Sequence, residues 1–280
     1  PGVFCLCYMV RILWFLGYPD QALRQSREAL ALAREISHPF SLAVALTFAA
    51  LVSQLRREAR AAQERAEEAV ALCAEHGFAF YLAMATVLKG WALTAQGQGT
   101  RGVSHMRQGL TAWQATGAEL FRPHLLALLA EAHGEIGQPN EGLNVLDEAM
   151  DAAHKSGKRF YEAELYRLKG ELTLQKLSGA SCQVSISNPQ SLTPSTQHPT
   201  PSTHAEADAE ACFLQAIDIA RQQSAKSWEL RAAVSLSRLW QRQGKAAARH
   251  LLAETYGRFT EGFETADLQE AKALLEELGQ

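Results

Sequence analysis

The chain has 280 residues, is 47% hydrophobic and carries a formal net charge of -3. It can therefore bury a large core, and its charge gives no global reason to expect nucleic acid or an anionic membrane as partner. Five scattered cysteines, Cys5, Cys7, Cys73, Cys182 and Cys212, include no CxxC pair, so a reducing cytoplasm is expected rather than a disulfide framework or a zinc site.

In chain order, the first segment, from Pro1, is apolar and enters directly into a helical pattern. It lacks an initiator Met and the basic flank and cleavage site of a signal peptide, which suggests a piece of a longer protein. No apolar run reaches the ~20 residues of a membrane-spanning helix. Gly17 is the first of four anchors, Gly17, Arg57, Gly97 and Gly137, spaced forty residues apart. A period of that size predicts stacked supersecondary units, each a pair of helices around a short turn. In the first unit, Pro19 and Asp20 suit a helix start, and Ala22, Leu23, Ala29, Leu30, Ala33 and Ile36 form one apolar stripe.

Twenty residues past each anchor stand Ser37, Gly77, Gly117 and Gly157, which fit left-handed helix ends. Aromatics follow, at Phe40, Phe78, Phe80, Tyr81, Phe121, Phe160, Tyr161 and Trp228, and should wedge successive hairpins. Small residues recur before the anchors (Ala50, Gly90, Ala130, Gly170, Ser237) and after them (Ala22, Ala62, Gly102, Gly142, Ala209). A glycine inside a helix costs about 1 kcal/mol against alanine, so close helix approach is the expected compensation.

The register breaks at Leu177 and returns at His204 and Gly244. Residues 178–203 contain no Lys, Arg, Asp or Glu and are rich in Ser, Thr and Pro, so a disordered insertion at the edge of the stack is expected. Lys245 to Tyr256 reads as a shorter helix. Thr265 to Leu278 reads as a capping helix with a polar outer face.

These small positions resemble the tetratricopeptide repeat, although that repeat usually has about 34 residues. The longer unit resembles the MalT-like class of bacterial regulators. The phrases Leu16-Gly17-Tyr18-Pro19-Asp20-Gln21-Ala22, Gly90-Trp91-Ala92-Leu93, Glu164-Leu165-Tyr166-Arg167-Leu168-Lys169-Gly170 and Ala225-Lys226-Ser227-Trp228 are similar to the C-terminal region of large bacterial predicted ATPases. Many of those carry an adenylate or guanylate cyclase domain. The resemblance implies an all-α, right-handed superhelical array of about six forty-residue repeats plus a C-terminal capping helix. Its segments are 1–177, the insertion 178–203, and 204–280.

No phosphate-binding GxxxxGK[ST], HExxH or GxSxG occurs, and Gly97, Gly99 and Gly102 read as a helix-connecting turn. Glu131, His133 and Glu135 alternate on a helix and so do not converge on one ion. Cys5 and Cys7 read as buried thiols. No metal, cofactor or enzymatic activity is expected.

By analogy with tetratricopeptide arrays, the first helix of each hairpin lines a concave groove. That places Met84, Val87, Trp91, His124, Ala127, Glu131, Glu164, Arg167, Glu171, Arg231, Arg238 and Arg242 toward it. The middle should be acidic and the last repeat basic, with a cationic stripe at Arg231, Arg238, Arg242, Lys245 and Arg249 weighed against an ordinary solvated face. The expected function is a non-catalytic module that binds a protein or peptide in this groove, including domains of its own parent protein. The alternative is a small-molecule, inducer-type sensor.

Overall fold

The computed structural model describes residues 2–184 and 201–279. Among these residues the fold is all-α, a helical-repeat array of thirteen helices. Six hairpins follow one another: α1 (Gly2–Phe15) with α2 (Pro19–Ile36), α3 (Pro39–Leu55) with α4 (Ala59–His76), and α5 (Ala79–Ala95) with α6 (Gly99–Ala115). Then come α7 (Arg122–Glu135) with α8 (Pro139–Ser156), α9 (Glu162–Val184) with α10 (Pro201–Gln222), and α11 (Lys226–Arg242) with α12 (Ala247–Tyr256). Helix α13 (Ala266–Glu277) ends the array.

The forty-residue period is a period of backbone conformation. Gly17, Arg57, Gly97, Gly137 and Gly244 turn the chain within a hairpin, and Ser37, Gly77, Gly117, Gly157 and Ser224 turn it between hairpins, all at φ between +54° and +87°. Glycine adopts that region without steric cost, which explains its recurrence. Arg57, at φ +62°, is the one charged exception among the described residues.

The small positions are where paired helices touch. A Cβ added to Gly102 would lie 2.5 Å from the carbonyl oxygen of Gly90 on α5 and would also collide with the Thr94 hydroxyl. Backbone cannot yield as a flexible side chain does. Gly102→Ala is therefore expected to lower stability by about 1–3 kcal/mol in chemical denaturation, despite alanine's better helix propensity.

The second helices α2, α4, α6 and α8 bury one stripe, such as Ala62, Ala66, Ala69 and Cys73 on α4. On α2 the expected stripe holds at Ala22, Ala29, Leu30 and Ala33, but Ile36 at its end is exposed. The expected aromatic wedges form between hairpins, as in the pairs Phe40–Phe78 and Phe40–Tyr81, with ring centroids 5.2 and 5.6 Å apart.

Helices enter the expected insertion from both sides, since α9 runs through Leu177 to Val184 and α10 begins at Pro201. Residues 185–200 of that segment lie outside the described residues. The register resumes beyond it, where Ala209 and Ala216 are fully buried and Gly170 packs against Phe213.

The array does not remain open. The first helices form a circuit in which α1 touches α3, α3 touches α5, and so on to α11, which touches α1. Trp14 and Trp228 meet at 4.6 Å, and the Ser227 hydroxyl donates to the Trp14 carbonyl at 2.5 Å. Glu261 accepts from the backbone N–H groups of Asp20 and Gln21 at 2.9 Å, and Asp20 accepts from the Gly262 N–H at 2.9 Å. The last repeat and the segment leading into the cap are thus bonded to the first hairpin. Helix α13 keeps Glu276 and Glu277 exposed, as a polar outer face requires, while Glu270 turns inward with Asp267 to pair with Arg57.

Candidate functional site

Closure of the circuit decides which side chains of the inner helices can meet a ligand. Met84, Val87 and Ala127 are fully buried in the core, so they line no open groove. The physical reason is that each inner helix packs on its own partner helix and on both neighbouring inner helices, as Val87 does against Gly109 of α6. His124 is buried too, stacked on Tyr161 at 4.2 Å with Nε2 3.4 Å from Gln54 Oε1. Burial first, then Arg11 and Arg231, push its pKa down to about 3, and it is neutral.

The centre is aromatic, with Phe15, Phe121, Phe160, Tyr161 and Trp228 in a chain of ring contacts. Arg11 stands among them, its guanidinium carbon 4.5 Å from the Phe160 centroid and 5.1 Å from that of Phe121. Its Nε and Nη1 are buried without a hydrogen-bond partner, and burial lowers its pKa. Cation–π contacts on several rings compensate part of that desolvation. This residue is missed by the sequence reading. Its signal is that Arg11 is the only charge on α1 and stands in the same register column as Trp91, Glu131, Glu171 and Arg238.

Beside the aromatic centre lies a cavity of ≈ 250 Å³ between α7, α9, α11, α13 and the turn after α3. Glu131, Arg167, Glu171, Arg231 and Arg238, five of the expected groove residues, line it together with Glu135, Arg57, Asp267 and Glu270. Trp91, one repeat before Glu131, donates its indole N–H to Glu131 at 3.1 Å and is otherwise buried. Glu164 lies below, buried, bonded to Arg167 at 2.7 Å and facing Arg231 at 3.6 Å.

The arginines are held in place by carboxylates. Arg231 binds Asp267 at 2.9 Å and donates to the Leu55 carbonyl at 2.6 Å, which ties α11 to α13 and to the end of α3. Burial opposes its charge, yet Asp267 and Glu164 more than restore it and raise its pKa. Arg167 is raised in the same way, burial being outweighed by Glu164 and Glu171. Arg57 and Arg238 both reach Glu270. Burial disfavours the Glu270 carboxylate, and these two arginines outweigh it, leaving its pKa lowered.

Of the two readings weighed for this column, cationic stripe or solvated face, neither describes all of it. Arg231, Arg238 and Lys245 are each paired with acids, Lys245 with Glu210 at 2.8 Å, while Arg242 and Arg249 are exposed. Bases of one column meet acids from other repeats. The Glu131, His133, Glu135 run divides as its spacing predicts, since His133 faces Gln138 and Arg107 and not the cavity. Among the described residues no group of three His, Cys, Asp or Glu side chains could hold a metal ion. Cys7 is buried and its thiol is pushed up to about 12, whereas Cys5 is exposed, contrary to expectation. No helix among the described residues is long and apolar enough to cross a membrane.

No protein-family model matches the chain, and no curated protein matches it. Solved structures do. The apo form of the quorum sensor NprR from B. thuringiensis is similar with a TM-score of 0.52 at 13% identity, over 98% of this chain and 70% of that one. The TPR2AB domain of yeast Sti1, in complex with pHSP90, gives a TM-score of 0.38 at 13% identity, over 100% and 99% of the two chains. A circular tandem repeat protein with novel repeat topology gives 0.31 at 11% identity, over 99% and 71%. The first of these supports the helical-repeat fold read from the helices themselves. Fold similarity at this level says nothing of ligand.

Proposed function

We propose that this chain is a non-catalytic recognition module and that its ligand engages the charged cavity on the inner side of the closed array. The observation that carries the reading is convergence: side chains from three repeats, the cap and the Arg57 turn meet around one cavity, while the rest of the inner surface is packed. A volume of ≈ 250 Å³ admits a single side chain or chain terminus of a protein or peptide partner and excludes a helix or extended strand. In a larger ATPase- or cyclase-bearing regulator of the kind its sequence resembles, occupancy of the cavity would bias the closure contacts, because Arg231 and Arg57 serve both. A second reading is an inducer-type small molecule held by the same charged side chains without a polypeptide.

Gln175 is exposed at the cavity and can be blocked without touching the core. Peptides selected from a random displayed library on the full chain are expected to lose affinity by on the order of tenfold or more on Gln175→Trp, with an unchanged melting temperature. Peptides that bind wild type and Gln175→Trp equally would place recognition elsewhere. A melting shift with a metabolite and none with any peptide would favour the small-molecule reading.

A further inference from the structure

Resting on the cavity as the binding site, we infer that the group it takes is cationic: a lysine or arginine side chain, or the free amino terminus, of a peptide partner, seated against Glu131 and Glu135. The argument is one of uncompensated charge inside a defined cavity. Each arginine of the lining is already opposed. Arg231 faces Asp267 and Glu164, Arg167 faces Glu164 and Glu171, and Arg57 and Arg238 share Glu270. Glu171 also accepts from the Ser235 hydroxyl at 2.6 Å.

Among the described residues, the two lining carboxylates with no basic group within ion-pair distance are Glu131 and Glu135, one turn apart on α7. Glu131 is oriented by the Trp91 indole N–H on one oxygen, Oε2, which leaves Oε1 free for a second donor. Glu135 keeps an exposed edge and has no bonded partner. Like charges at i and i+4 repel, and an entering ammonium or guanidinium relieves that repulsion. An anion would meet the same two carboxylates, and the arginines that could answer it are spent on acids.

The ionisation of Glu135 bears on this. Desolvation, then the neighbouring Glu131, push its carboxyl up to about 7, with Arg57 acting the other way. The other charged groups of the cavity facing it are Arg167 and Glu171 from α9, Arg231 and Arg238 from α11, and Asp267 and Glu270 from α13. A cation prefers the ionised carboxylate. Its affinity should therefore rise from pH 6 to pH 8 and level off above, by about tenfold, as the ionised fraction goes from about 0.1 to about 0.9.

The test uses the full chain with ¹⁵N-labelled tryptophan and follows the Trp91 indole N–H, assigned by Trp91→Phe. Agmatine and n-butylamine are the cationic probes, and 1-butanol and butyrate are their neutral and anionic counterparts. The expected result is a saturable shift with the cationic probes alone, stronger at pH 8 than at pH 6 and absent in the Glu131→Gln, Glu135→Gln double variant. That variant removes repulsion and should fold. A shift with butyrate or 1-butanol but not with the amines would overturn the cationic assignment while leaving the cavity as the site. No shift with any probe, or amine binding that persists unchanged in the double variant, would overturn the assignment at this cavity.

Discussion

Arg231→Ala is expected to lower stability by about 3–5 kcal/mol, a melting decrease of about 10 °C. The side chain is nearly buried and has three separate tasks. It neutralises Asp267 and Glu164, donates to the Leu55 carbonyl, and packs against both the Trp14 and Trp228 rings with its guanidinium carbon 5.0 and 5.1 Å from their centroids. Its removal leaves buried carboxylates and a carbonyl short of a donor, and that desolvation cost exceeds the worth of the pair itself. Arg231→Lys should recover only part of the loss, since a point charge cannot serve directions that a planar fork reaches together. Arg242→Ala, in the same helix but exposed, should change stability by less than about 0.5 kcal/mol. Equal effects at the two positions, read by chemical denaturation, would contradict the role given to Arg231.

Trp228→Ala should cost a similar about 3–5 kcal/mol. The ring is 1% exposed and touches Trp14, Phe15 and Tyr161 with centroids 4.6, 5.7 and 4.9 Å away. Its deletion opens a void at the seam where α1 meets α11. Trp228→Phe should be far milder, below about 1.5 kcal/mol, because the indole N–H is buried without a partner and its loss also removes an unsatisfied donor. Hydrogen exchange should show α1 and α11 losing protection together in the alanine variant. Deprotection confined to α11 would mean that the two helices are not one cooperative unit.

The repeat was legible because its cause is local. A left-handed turn every twenty residues asks for Gly or a residue that tolerates that conformation, and close helix pairs ask for small side chains at fixed offsets. The same register placed Glu131, Arg167, Glu171, Arg231 and Arg238, which do share a cavity. It could not show that the array closes. Closure depends on a small rotation per repeat accumulated over six repeats, and the residues that seal it, Asp20 with Glu261 or Trp14 with Trp228, are more than two hundred positions apart. Met84 and Val87, expected in the groove, lie instead inside the helix packing, Val87 against Gly109 of α6. Arg57 was legible but read only as an anchor. An arginine at a left-handed position, where other repeats use glycine, bears strain of about 1 kcal/mol or more, and its compensation is the bond to Asp267 and Glu270.

The cavity is walled on one side by Arg57 of the second hairpin, which pairs with Asp267 and Glu270 of the cap, and that contact requires the end of the array to come back to its start. Closure is the point on which the account turns. The most direct measurement is a nuclear Overhauser spectrum on protein labelled only at tryptophan and tyrosine rings, with Trp14 and Trp228 assigned by single Trp→Phe variants. Closure predicts a ring-to-ring cross-peak between Trp14 and Trp228, whose centroids lie 4.6 Å apart. Its absence, with the Trp228–Tyr161 cross-peak inside the C-terminal half retained, would show an open array and contradict the account.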